Sequence, residues 1–125
     1  MKIHHIGIAC QDIQETISEF ERFHTIIRRS EIVYDENQNA SLCMVSTGAG
    51  LDIEFIAGER VARMVKKGIG YYHLCYEVDD LNATIDDYVS RGAMIISEPK
   101  PAVLFGGKRV TFLHLPYGLV ELVEK

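Results

Sequence analysis

No apolar run in this chain approaches the roughly 18 residues that a membrane-crossing helix needs, so no membrane association is expected. The N-terminus lacks a charged stretch followed by an apolar one, which argues against a signal peptide. A Lys/Arg-rich stripe is missing too. Arg28-Arg29, Arg63 with Lys66-Lys67, and Lys108-Arg109 are short clusters in a chain of net charge −5, which makes nucleic acid an unexpected partner. There is no CxxC. Cys10, Cys43 and Cys75 are odd in number and lie in apolar, strand-like runs, so they read as buried small hydrophobes in a reducing compartment, not as a disulfide framework. A cytoplasmic address is the resulting expectation. No Ser/Gly linker or low-complexity tract divides the chain. With 125 residues and a 47% apolar fraction, it is expected to form one domain with a real core.

What is present is a repeat. His5-Ile6-Gly7-Ile8-Ala9-Cys10-Gln11-Asp12-Ile13 is echoed by His73-Leu74-Cys75-Tyr76-Glu77-Val78-Asp79-Asp80-Leu81, with His, Asp and an aliphatic residue all recurring 68 positions apart (5 and 73, 12 and 80, 13 and 81). The echo continues through Ile17 and Ile85, and Phe20 and Tyr88. Glu54 in Gly50-Leu51-Asp52-Ile53-Glu54-Phe55 has its counterpart 67 residues on, at Glu121 in Gly118-Leu119-Val120-Glu121-Leu122.

Each half reads as β-α-β-β-β. Residues 3–10 are a β-branched strand, and Asp12 with Glu15 three residues later forms a helix start. Ile13, Ile17 and Phe20 then share one helix face. Ile26-Ile27 and Ile32-Val33-Tyr34 are extended, 35–39 is a polar turn, and 41–45 and 51–56 are strands joined through Gly48 and Gly50. After a polar connector with some helical character, the order restarts. Residues 71–78 form a strand, and Asp79 or Asp80 caps a helix carrying Leu81, Ile85 and Tyr88 and ending near Gly92. Residues 94–97 form a short strand. Pro99 and Pro101 read as excluding regular pairing through 99–107, and 109–115 and 119–123 are the last strands. The expected fold is α+β: two tandem modules, about 1–58 and 70–125 with a connector at about 59–69, whose sheets curl around one concave cavity with the helices outside.

Period-two alternation gives direction to the repeated residues. His5 shares a face with Gly7 and Ala9, and His73 with Tyr71, Cys75 and Glu77. Glu54 aligns with Asp52 and Ile56, and Glu121 with Leu119 and Val123. Ile53, Phe55, Val120 and Leu122 point the other way, towards the helices. A carboxylate in mid-strand among apolar neighbours needs a cation or another partner. Two imidazoles and two carboxylates suit a divalent metal of borderline softness: Ni, Co, Zn, Mn or Fe. Such an ion polarises a carbonyl, acidifies the adjacent C–H and holds the enolate oxygen, while a ligating Glu takes the proton. The competing readings are hydrogen-bonded core histidines and internal salt bridges to Arg or Lys, although no nearby basic residue shows the matching two-fold repeat. His4, His24 and His114 read as surface or packing residues, and Lys108-Arg109 as a solvated strand end.

His-Ile-Gly-Ile-Ala, Tyr-His-Leu-Cys-Tyr-Glu-Val-Asp-Asp-Leu, Phe105-Gly106-Gly107-Lys108-Arg109-Val110-Thr111-Phe112-Leu113-His114 and Gly-Leu-Val-Glu-Leu-Val-Glu together resemble the vicinal oxygen chelate superfamily. That group contains glyoxalase I, methylmalonyl-CoA epimerase, extradiol dioxygenases and antibiotic-resistance binding proteins, and the likeness is strongest to its epimerase-like branch. The resemblance implies metal ligands at His5, Glu54, His73 and Glu121, with Glu54 and Glu121 the catalytic candidates and no organic cofactor. It implies a small-molecule substrate, expected to be an acyl-CoA-type thioester undergoing proton transfer next to its carbonyl. The alternatives are a glyoxalase I-like lyase and a metal-free binding protein. The lyase pattern has Arg four residues after the first His and Asn four residues after the first Glu, where this chain has Ala9 and Gly58. The extra third-strand carboxylate of some epimerases is absent from Ser41-Leu42-Cys43-Met44. A C₂ homodimer is the expected assembly.

Overall fold

The computed structural model describes residues 1–125. It is a mixed α+β protein in which the chain packs as two compact units, residues 5–72 and residues 73–125 with 1–4.

The first unit contains β1 (Lys2–Ala9, of which Lys2–His4 belong with the other unit), α1 (Ile13–Phe20), β2 (Arg28–Arg29), β3 (Val33–Asp35), β4 (Ala40–Ser46), β5 (Asp52–Ala57) and α2 (Ala62–Lys66). The strands run in the order β2-β4-β5-β1, with β3 also on β4. The β1–β5 pairing is parallel; the pairings made by β4 are antiparallel. Helix α1 starts where expected because the Asp12 carboxylate accepts from the Glu15 backbone N–H at 2.9 Å, a cap worth about 1 kcal/mol. Its apolar face, Ile13 and Ile17, is buried against Cys10, Cys43, Val45 and Phe55, and Phe20 meets Phe55 edge-on at 5.6 Å.

The outer strand of this unit lies near the two extended segments expected at Ile26-Ile27 and Ile32-Val33-Tyr34. It is broken into β2 and β3, two and three residues long. The break lies at Ser30, whose hydroxyl accepts from the Met44 N–H at 2.9 Å while its own N–H donates to the Met44 carbonyl at 2.8 Å. A side-chain oxygen there takes a place that a backbone carbonyl would fill in a regular ladder. The turn at 35–39 is held by Asp35, which accepts from the Asn37 N–H and the Gln38 side-chain amide, both at 2.9 Å. The connector carries a 3₁₀ turn at 59–61 and α2, and belongs to this unit.

The second unit contains β6 (Tyr71–Val78, its first two residues belonging to the first unit), α3 (Leu81–Ser90), β7 (Met94–Pro101), β8 (Arg109–Leu115) and β9 (Gly118–Glu124), in the order β6-β9-β8-β7. Asp80 caps α3 as Asp12 caps α1, accepting from the Ala83 N–H at 3.0 Å. Leu81 and Ile85 pack on Val78, Leu113, Val120 and Leu122. Gly92 follows the helix with φ +105°, a left-handed conformation that favours glycine.

One expectation fails here. Residues 94–97 were expected as a short strand closed off by Pro99 and Pro101, yet β7 runs through both prolines. It is an edge strand paired only with β8, its register slipping between Ile95 and Ser97 and again between Ser97 and Lys100. Proline lacks only a donor, and on an edge strand with bulges that donor is not required. Arg109, expected at a solvated strand end, is instead paired across β8–β9. Its backbone N–H reaches Glu124 at 2.6 Å and its guanidinium at 3.2 Å. These bonds, the backbone one first, hold the Glu124 carboxyl below its ordinary value.

Candidate metal centre

Strand register places each candidate ligand. In the first unit His5 lies opposite Asp52 and Gly7 opposite Glu54 across β1–β5, while Met44 faces Glu54 and Ser46 faces Asp52 across β4–β5. Directly paired residues project to one side of a sheet. His5, Asp52, Glu54, Met44 and Ser46 therefore share a face, opposite the one that buries Phe55 and Val45 under α1. His5 and Glu54 are 0% and 1% exposed, and His5 Nε2 lies 3.6 Å from Glu54 Oε1.

The second unit repeats the arrangement. Cys75 pairs with Glu121 across β6–β9, and Phe112 pairs with Glu121 across β8–β9, so His73, Cys75, Glu121 and Phe112 share the face opposite Val120 and Leu122. His73 Nε2 lies 3.2 Å from Glu121 Oε1, with both side chains buried. The Phe112 ring meets the imidazole edge-on at 5.3 Å, an apolar wall that limits how the His73 ring can turn.

Each unit thus buries one imidazole and one carboxylate together on a sheet face. Taking a carboxylate out of water carries a penalty of several kcal/mol that a neutral imidazole alone does not offset. A divalent cation would offset it, and nitrogen plus oxygen donors are the set that Zn, Ni, Co, Mn and Fe accept. The donors in each unit fit such an ion.

The other histidines fall outside these pairs. His24 and His114 are exposed, and His4 packs its ring edge-on against Phe105 at 5.2 Å. All three cysteines are buried and none is in a disulfide. A cavity of about 490 Å³ within the first unit lies elsewhere, between Cys10, Gly58, Ala62 and Val65, with Lys66 and Gln11 at its edge. Cys10 belongs to the helix-side core, and burial pushes its thiol pKa up, so that cavity offers no reactive group. Sequence reading missed Phe112, Met44 and Ser46 as residues of the ligand face. Alternation along β8 could have found Phe112. Met44 and Ser46 become visible only once their pairing with Glu54 and Asp52 is known.

Gly58, where the lyase pattern has Asn, has φ +132°, and a Cβ there would sit 3.1 Å from the Ala40 Cα. A side chain at this position would be strained and tightly placed.

Comparison with known proteins adds the following. The family model described as glyoxalase/bleomycin resistance protein/dioxygenase superfamily matches residues 4–112. The chain is 26% identical over 119 residues to an ethylmalonyl-CoA/methylmalonyl-CoA epimerase of Cereibacter sphaeroides, covering 90% of this chain and 87% of the relative. Among solved structures it resembles methylmalonyl-CoA epimerase from Mycobacterium tuberculosis, with a TM-score of 0.80, 23% identity, and coverage of 98% of this chain and 87% of that one. It also resembles a Streptomyces coelicolor methylmalonyl-CoA epimerase variant in complex with 2-nitronate-propionyl-CoA, with a TM-score of 0.76, 26% identity, and coverage of 100% and 94%.

Proposed function

The chain belongs to the glyoxalase/bleomycin resistance protein/dioxygenase superfamily, and from that premise we propose that it is a metal-dependent epimerase that moves a proton next to the carbonyl of an acyl-CoA-type thioester. The observation that carries this reading is the duplicated, buried His–Glu pair on the ligand face of each unit, in a chain whose relatives include CoA-thioester epimerases. We take His5, Glu54, His73 and Glu121 as the ligands of one divalent ion. Bound there, the ion would supply Lewis acidity at the acyl carbonyl and so make the neighbouring C–H acidic.

The remaining work falls to the chain's own groups. Leu42, Met44 and Ser46 line the ligand face of β4 opposite Ile56, Glu54 and Asp52, so that strand contributes no carboxylate. We take the ligand carboxylates as the bases: Glu54 or Glu121 accepts the proton on one face of the carbon, and the other delivers a proton to the opposite face, which inverts the centre. Phe112 and Met44 provide the apolar walls beside them. Ala9 and the closed backbone at Gly58 weigh against a glutathione-type substrate. The three buried cysteines, none in a disulfide, are compatible with a reducing, cytoplasmic setting.

The test is proton exchange. Protein stripped and reloaded with Co, Ni or Mn should bind about one equivalent per chain and wash deuterium into C2 of methylmalonyl-CoA in heavy water. Uptake below about a tenth of an equivalent would remove both enzyme readings and leave a binding protein. Stoichiometric uptake without exchange would remove the epimerase and leave the lyase.

A further inference from the structure

The cavity of about 490 Å³ in the first unit stands apart from the ligand face. It lies between Cys10 and Gln11 at the end of β1, Gly58 just past β5, and one side of α2, where Ala62, Val65 and Lys66 are spaced three and four positions apart. Cys10 packs with Ile13 and Ile17 in the core under α1, so the cavity opens on the helix side of the sheet, away from His5 and Glu54. Its volume falls within the roughly 300–1,000 Å³ of small-molecule sites. An inorganic anion of a few atoms would leave most of it to water.

The lining divides into an apolar wall and a polar rim. Cys10, Ala62 and Val65 form the wall, and the backbone groups beside them are engaged: the Cys10 N–H donates to the Ile56 carbonyl at 2.8 Å and the Val61 N–H to the Gly58 carbonyl at 3.2 Å. The rim holds the Lys66 ammonium and the Gln11 amide, both exposed and neither in an ion pair or hydrogen bond. The neighbouring acids are committed elsewhere. Asp12 caps α1 through the Glu15 N–H at 2.9 Å, and Glu59 accepts from the Asn39 side-chain amide at 2.7 Å. Arg60, Arg63 and Lys67 flank Lys66 along the connector, so four cations stand against the single acid Glu59 there, in a chain of net charge −5. Such a local field attracts anions. We propose that this cavity binds a small amphiphilic monoanion, a carboxylate with an aliphatic body of several carbons. The body fills the space between Cys10, Ala62 and Val65, and the two carboxylate oxygens accept from Lys66 and from the Gln11 amide at the rim.

Octanoate, octylammonium and octanol share one aliphatic body and differ in head group. Amide chemical-shift titration of the isotope-labelled full chain with each reads both affinity and place. Octanoate should give saturable shifts at Gln11, Gly58, Ala62, Val65 and Lys66, with octanol weaker and octylammonium weakest. Lys66→Glu should weaken octanoate at least about tenfold. Lys67→Glu makes the same charge change one position away, off the cavity lining, and should cost no more than about threefold. Ala62→Phe, which fills the cavity from an exposed helix position, should abolish binding of octanoate and octanol alike. Absence of saturable shifts with octanoate, shifts confined to residues around His5 and Glu54, or equal losses in Lys66→Glu and Lys67→Glu would each overturn the proposal.

Discussion

The two units are most alike where they carry His and Glu and least alike along their outer edges. His5–Glu54 and His73–Glu121 repeat residue type, strand position and burial, with separations of 3.6 and 3.2 Å. The helices that cover them begin with the same aspartate cap, at 2.9 and 3.0 Å. The edges share nothing. In the first unit the outer strand is broken at Ser30 and presents Arg28 beside a cleft. In the second it is one eight-residue strand through two prolines. A duplicated scaffold can keep its inner strands, with their residue types and burial, while its outer strands diverge.

The largest effects should come from the shared part. Glu54→Gln and Glu121→Gln each remove one charged donor and one candidate base, so either should lower metal affinity at least 10-fold and proton exchange at least 100-fold. The pair also splits the two duties. If one carboxylate is the base and the other only a ligand, one variant will bind metal weakly yet exchange measurably once saturated, and the other will not. Metal titration alongside exchange rates reads this directly. Normal turnover in both variants would show that the site lies elsewhere.

Next come the cores that hold the two ligand faces. Ile17 is fully buried and its repeat partner Ile85 is 6% exposed. Truncation to Ala should cost about 3–4 kcal/mol at 17 and about 2–3 kcal/mol at 85, since a more enclosed site leaves the larger cavity. Urea unfolding measures both. One transition shifted by either change is expected if residues 1–125 form a single domain. Two transitions, each moved by one substitution only, would mean that the halves are independent, and a larger loss at Ile85 would reverse the ranking.

How much of this was legible beforehand follows the same division. The 68-residue echo, strand alternation and the two aspartate caps located His5, Glu54, His73 and Glu121, gave their direction and set both helix starts. These signals are local and periodic, so they survive without knowledge of pairing. The second unit's edge strand was misread because its geometry depends on its partner. Pro99 and Pro101 look like breakers until β7 is known to pair on one side only and to slip register twice. The gap at Ser30 depends on a hydroxyl meeting the N–H of a residue fourteen positions away.

The smallest expected effect tests a feature present in the second unit alone. Glu124 accepts from the Arg109 backbone N–H and guanidinium, which holds its carboxyl below the ordinary value of 4.5. Position 57, its counterpart at the 67-residue offset, is Ala57. A lowered folded-state pKa means that the unfolded chain binds this proton first as pH falls. The stabilisation is therefore fully present above about 4.5 and disappears as pH drops through the lowered folded value. Glu124→Gln keeps an acceptor for the Arg109 N–H but lacks the charge. Its melting temperature should trail the wild type by a small, constant margin from pH 7 down to about 5, and the two curves should converge below that. Every other group is common to the two proteins and cancels in the difference. A margin that persists undiminished to pH 3 would mean that Glu124 acts through packing alone, and the electrostatic contrast between the two units would vanish.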